Sequence, residues 1–229
     1  MRQIATRTWR RTLDDRLGIS QLEKQRKERL PAPELPVIEP VIADREDHRI
    51  DHQGSGPLPV DIKIAVPRYR LDLGELHCLS VKRGTLTAEE RFLINHHIVQ
   101  TIIMLRGLPF PDYLKAVTDM AGNHHEHLDG SGYPRGLIAS ELSLEARMMA
   151  IADIFEALTA SDRPYKKGKP VSEALRLLAA YVRMGHLDHD LFELFMRAGV
   201  YQQFAQRFLD PWQIDEFDLE EILALASKT

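Results

Sequence analysis

The chain has 229 residues, one cysteine and a formal net charge of −4 with histidine neutral. A single cysteine excludes an internal disulfide and fits a reducing, cytoplasmic setting. The slight acidity and 7% aromatic content give neither an electrostatic nor a base-stacking case for DNA or RNA as partner. No apolar run reaches the roughly 18 residues of a membrane span, and the basic start "MRQIATRTWRRT" lacks the apolar centre of a secretory signal.

In chain order, "LDDRLGISQLEKQRKERL" reads as a short helix broken at Gly18 and restarted at Ser20. Next comes "LPAPELPVIEPVIADREDHRIDHQGSGPLPV", whose prolines fix φ and remove donors, so it is extended or loop structure. Residues 1–66 therefore read as a charged, Pro-rich extension, and residues 67–229 as a helical domain. A helix is expected over 87–106, opened by Thr87 and Glu90 as a capping box. Others are expected over 112–125 from Asp112, over 143–160 from Ser143, and over 172–184 from Ser172 to Gly185. The third is apolar almost all round and is expected to be buried. A further helix, "HDLFELFMRAG", stops at Gly199. Strand signals are weak and confined to the first third. The fold class is all-α, a helical bundle.

Polar residues fall at telling places on these helices. His97 shares a helical face with Ile94, Thr101 and Met104, a face expected to point inward. His124 continues the stripe of Leu114, Val117 and Ala121, with His125 beside it. Asp153 lies with Ala146, Ala150 and Ala157 on a small-residue stripe. A buried carboxylate without a partner is costly. Taken singly, Asp153 is accounted for by a salt bridge or cap, and His97 by a hydrogen-bonded core imidazole. Together, imidazoles and a carboxylate from several helices are the ligand mix of borderline metals such as iron, manganese and zinc. The absence of cysteine from the set disfavours a structural zinc site. His77, His186 and His189 stand isolated and read as surface or core-edge imidazoles.

The next stretch, "DGSGYPRG", is either an ordinary turn or a loop whose glycines let backbone approach a ligand, with Tyr133 stacking on it. Beyond Asp153, "SDRPYKKGK" is a solvated charge run or, beside a metal-rich pocket, a phosphate-neutralising loop.

"HHEHLDGSGYP", followed by "ARMMAIADIFEALTASDRPYKK", closely resembles the HD-GYP family of metal-dependent phosphohydrolases, with the match running from about Arg83 to Leu178. The resemblance implies an all-α HD-like bundle with a two- or three-metal site, of iron or manganese, that opens cyclic di-GMP to pGpG or GMP. It implies His97, His124, His125 and Asp153 as metal ligands. Gly132, Tyr133 and Pro134 would form the signature loop, and Arg163 and Lys166 would contact phosphate.

One part of the pattern departs. The family's His-Asp pair, which ligates both metals, usually lies in "HDxGK" shortly before "KxGxLT". Here that place reads "YRLDLGELHCLSVKRGTLT", with Leu71-Asp72 for His-Asp and Glu75 for the lysine. A His-Asp dipeptide does occur in "DHD" at Asp188–Asp190, but downstream of the other motifs. The expectation is a C-terminal part of a longer domain, with residues 1–66 resembling the end of an insertion, and weak or no activity alone. The alternative is a degenerate, non-catalytic module that binds a nucleotide or a signalling partner protein. Were the chain active alone, other groups, such as Asp72 or Glu126, would have to complete the site. Without metal, a nearby imidazole is expected to take up a proton and pair with Asp153.

Overall fold

The computed structural model describes residues 4, 6–52, 57–82, 84–161 and 167–227. The chain divides into two compact units, Met1–Leu58 with Ala65–His96, and Pro59–Ile64 with His97–Thr229. Helices dominate among the described residues, and the strands form two short antiparallel pairs.

In the first unit β1 (Thr8–Arg11) pairs with β2 (Val37–Pro40), and β3 (Arg49–Ile50) pairs with β4 (Leu71–Asp72). Helix α1 (Gln21–Lys27) starts at Ser20, whose hydroxyl accepts the Glu23 N–H. The helical turn expected before Gly18 does not form. The Asp14 carboxylate instead accepts the Arg16 N–H at 2.9 Å, a local bond that competes with helix, and Gly18 turns the chain at φ +74°. Phe92 is the one buried core apolar side chain among the described residues of this unit. Charged contacts tie it instead: buried Arg11 donates to Glu39 at 2.9 Å and to Asp15 at 3.2 Å, and Lys27 donates to Asp15 at 2.6 Å. The short helix α2 (Glu75–Leu79) follows β4.

Helix α3 (Ala88–Arg106) opens with the expected reciprocal cap: Thr87 Oγ1 accepts the Glu90 N–H at 3.2 Å and Glu90 accepts the Thr87 N–H at 2.8 Å. Its residues from His97 onward belong to the second unit. There α4 (Val117–Asn123) is shorter than the sequence suggests. Asp112 pairs with Lys115 instead of capping, and residues 112–114 form a tighter 3₁₀ turn. Helix α5 (Leu144–Thr159) begins at Ser143 as expected, its hydroxyl accepting the Ala146 N–H. It is not buried all round: Ala146, Ala150, Ile151, Phe155 and Thr159 face inward while Leu144 and Met148 are exposed.

Helix α6 (Val171–Arg183) takes Pro170, not Ser172, at its cap position, because the Ser172 hydroxyl and N–H both bind the Asp215 carboxylate, at 2.6 and 2.9 Å. Helices α7 (His189–Arg197), α8 (Val200–Phe208) and α9 (Leu219–Ala226) complete the unit. On α6, Val171, Ala174, Leu175, Leu178, Ala179 and Val182 are buried, an apolar stripe at spacings of three and four. That stripe packs on α5 and α9, and α5 packs in turn on α4. Phe155, Leu178, Phe192, Met196 and Ile222 fill the space between. The residues 59–64 join this unit through polar contacts: the Lys63 N–H donates to the Pro134 carbonyl at 2.8 Å, and Asp61 pairs with Arg106 and Arg135. The Arg106 guanidinium holds the Asp61 carboxyl down at about 2.

Phe192 is fully buried, so Phe192→Ala removes a large side chain and leaves a cavity. It is expected to cost about 3–5 kcal/mol, read as a lower denaturant midpoint with an unchanged slope.

Candidate metal centre

The site begins where α4 ends. His124 is the C-cap of α4, and its Nδ1 lies 2.8 Å from the Ala121 carbonyl. A carbonyl only accepts, so Nδ1 carries the proton and Nε2 presents a lone pair. That is how a metal-ligating histidine is usually held.

The following residues reverse the chain sharply, and one carboxylate organises the reversal. Glu126, only 2% exposed, accepts the backbone N–H groups of Arg135, Gly136 and Leu137 at 2.6, 3.2 and 2.9 Å. Residues 132–134 are thereby folded back onto residues 125–127. A Cβ at Gly132 would lie 2.5 Å from Glu126 Cα, so only glycine fits. Pro134 is fully buried. The Tyr133 N–H donates to the His125 carbonyl at 3.2 Å, and its ring stacks on His125 with centroids 4.9 Å apart and planes at 21°. The Arg135 guanidinium binds Asn123 and Asp119, both at 3.1 Å, tying the loop back to α4.

Helix α5 supplies Asp153. One ligand atom each from His124, His125 and Asp153 lie within 4.8 Å of one another. His97 reaches the group from α3: its Nε2 is 3.2 Å from His125 Nε2, and the rings meet edge-on at 5.2 Å. Close packing of α3 on α4 makes this possible, since a Cβ on Gly122 would meet Ile102 at 2.8 Å. Two nitrogens at this spacing suit a shared ion: Zn–N bonds of about 2.0–2.1 Å at a tetrahedral angle put them about 3.3 Å apart.

The donor set fits a divalent ion in its ionisation as well. Burial and the neighbouring His124 push the His125 ring down to about 4, with His97 adding to them, while the Asp153 carboxylate acts the other way without prevailing. The imidazole expected to take a proton beside Asp153 is therefore not His125. That ring stays neutral and ready to ligate. Burial, then Asp153, pushes the Tyr133 phenol up.

One expectation fails in detail. The face of α3 carrying His97 is not inward: Ile94 and Met104 are 53% and 61% exposed, and His97 is exposed too. Among the described residues that helix buries Phe92, Ile98, Val99 and Ile102 instead. Glu126 and Asp72 each already have structural partners. Asp72, in β4, accepts the Gly74 N–H at 2.9 Å and sits 3.6 Å from Arg49. Glu75 accepts the Ala43 N–H at 2.7 Å. In "DHD", Asp188 caps α7 and pairs with Arg147, leaving Asp190 exposed. Arg163 and Lys166 lie outside the described residues.

A family profile described as HD domain matches residues 56–191, more than half of the chain, and the Gly132–Pro134 loop lies within that stretch. The chain belongs to the HD domain family, in its HD-GYP branch. Over 141 residues this HD-GYP chain is 38% identical to a 3′3′-cGAMP-specific phosphodiesterase of Vibrio cholerae, covering 59% of the chain and 31% of that protein. Over 121 residues it is 42% identical to a cyclic di-GMP phosphodiesterase of Pseudomonas aeruginosa, covering 52% and 28%. A cyclic di-GMP phosphodiesterase response regulator of Xanthomonas campestris is 36% identical over 129 residues, covering 55% and 32%. The HD-GYP chain thus spans about a third of the length of these relatives.

Three outcomes test this geometry. Glu126→Gln halves the loop's acceptors and sets an amide donor against backbone N–H groups, so it should cost about 1.5–3 kcal/mol, read as a lower melting temperature. The His125 ring is expected to titrate near 4 rather than 6.5 by NMR of the metal-free chain. Unfolded His125 binds its proton near 6.5, so this ring's contribution to stability is intact above that pH and is lost as pH falls toward about 4. His125→Gln should flatten the fall in melting temperature over that window.

Proposed function

We propose that His97, His124, His125 and Asp153 are one ligand set of an HD-GYP phosphodiesterase centre acting on a cyclic dinucleotide, cyclic di-GMP or the related cGAMP. The single observation that carries this reading is the convergence of His124, His125 and Asp153 within 4.8 Å, beside the Gly132–Pro134 loop. An ion held there, iron or manganese in this reading, would polarise a phosphodiester and activate water. The protein's own contributions are more specific. Ala121 orients the His124 lone pair, burial keeps His125 neutral, and Tyr133 presents a flat ring on which a purine can stack.

In this proposal the set is incomplete within the 229 residues. Leu71 cannot ligate a metal, and Asp72 and Glu75 are engaged in their own unit. Slow or absent turnover is the expected behaviour. The engagement of Asp72 and Glu75 also supports a second reading, a module that binds the nucleotide without cutting it.

Metal analysis and hydrolysis of cyclic di-GMP by the chain, with and without Asp153→Asn, test the proposal. Expected are turnover far below the enzyme median of about 10 per second and at least tenfold weaker manganese binding in the variant. Manganese bound equally well by both proteins would remove Asp153 from the ligand set. Turnover near the median would overturn the incomplete-site reading, and nucleotide binding with no turnover would favour the binding module.

A further inference from the structure

A second group of donors converges outside this set. One ligand atom each from His127, Asp129 and His186 lie within 4.8 Å of one another. We propose that these three residues form a separate binding site for a borderline divalent cation of the zinc type.

The site is built from both sides. His186 follows the end of α6, where Gly185 turns the chain at φ +81°. The Gly185 N–H donates to the Val182 carbonyl at 2.9 Å and the His186 N–H to the Tyr181 carbonyl at 3.0 Å, the paired bonds that end a helix in a fixed direction. From the other side, the Leu128 N–H donates to the His186 carbonyl at 3.1 Å. The His186 backbone is thus anchored against the 127–129 segment, and the His127 and His186 rings lie face to face, 4.1 Å apart at 10°.

Hydrogen bonds then sort the atoms. Asp129 Oδ1 accepts both the Ser131 N–H, at 2.9 Å, and the Ser131 hydroxyl, at 2.7 Å. With its own proton so placed, the Ser131 oxygen accepts from His127 Nδ1 at 2.9 Å. His127 Nδ1 therefore carries the proton, and Nε2 presents the lone pair. Asp129 Oδ2 is turned toward His186, 3.7 Å from its Nε2. What remains for a ligand is two imidazole nitrogens and a carboxylate oxygen.

A simple ion pair does not explain this arrangement well. Such a pair involves only His186 Nε2 and Asp129 Oδ2, 3.7 Å apart, and leaves out the His127 nitrogen gathered with them. A divalent ion uses both lone pairs and the carboxylate together. Two imidazoles and one carboxylate are a set zinc takes up, leaving one open position. To share the ion the two rings must tilt out of their stack, since an imidazole lone pair lies in the ring plane, and their nitrogens must come to about 3.3 Å, as Zn–N bonds of about 2.0–2.1 Å require. Asp129 also borders a surface cavity with Met184 and His189, which gives an ion a route in.

Zinc titration of the chelator-stripped 229-residue chain tests the proposal. His127→Gln is expected to take up one equivalent fewer than the parent, while Asp153→Asn keeps that equivalent. Unchanged zinc uptake by His127→Gln would overturn the site. Long-range nitrogen NMR of the unmutated chain needs no variant to fold: zinc should shift the ring nitrogens of both His127 and His186, and a titration that moves neither overturns the proposal.

Discussion

A single buried carboxylate sets the geometry on which the candidate centre depends. Removing Glu126 from water carries a penalty of several kcal/mol for an unpartnered charge, and the chain offsets it with backbone N–H groups from Arg135, Gly136 and Leu137. Charge-assisted bonds of this kind are the stronger ones. Their effect is to close residues 126–135 into a loop with one register. Within it Gly132 must lie against the backbone of residues 126 and 127, and Tyr133 must lie on His125. Packed against Tyr133 and His124, the His125 ring is partly withdrawn from water, and burial leads the causes that push it down to about 4.

The neighbouring histidines show how one short segment gives each imidazole a different task. His124 has its proton placed by the last turn of α4. His125 is kept neutral by its surroundings. His127 has its proton placed by Ser131. Asp153 depends on the opposite side of the molecule's logic: the buried faces of Ile151 and Phe155 fix the rotation of α5, and that rotation turns the carboxylate toward His124 and His125. Packing of an apolar stripe thus places a candidate ligand, and the candidate centre inherits the rigidity of the core behind it.

Much of this was legible in the sequence where the determining interaction is local. The Thr87–Glu90 cap, the Ser143 cap and the glycine after α6 each act within a few residues, and α3, α5 and α6 follow the spacing that announces them. The adjacency of His124 and His125 and the small-residue stripe around Asp153 marked the candidate ligands for the same reason. What was not legible depends on partners far along the chain. Ser172 reads as a cap until Asp215 claims its hydroxyl. Glu126 reads as a spare carboxylate because its partners are backbone groups, which carry no residue identity. His186 reads as an isolated imidazole because only the end of α6 brings it back to His127. The exposed face of α3 shows the limit of periodicity: Ile94, His97 and Met104 share a side, but spacing alone does not say which side packs.

In the proposed centre His124, His125 and Asp153 surround one ion, with His97 beside it. Crystals of the chain grown with manganese and measured at a wavelength where it scatters anomalously test this directly. The expected result is an anomalous peak about 2.0–2.3 Å from imidazole nitrogens of His124 and His125 and from a carboxylate oxygen of Asp153. A well-ordered site with no such peak, or with the peak bound elsewhere and Asp153 engaged only by protein groups, would contradict it.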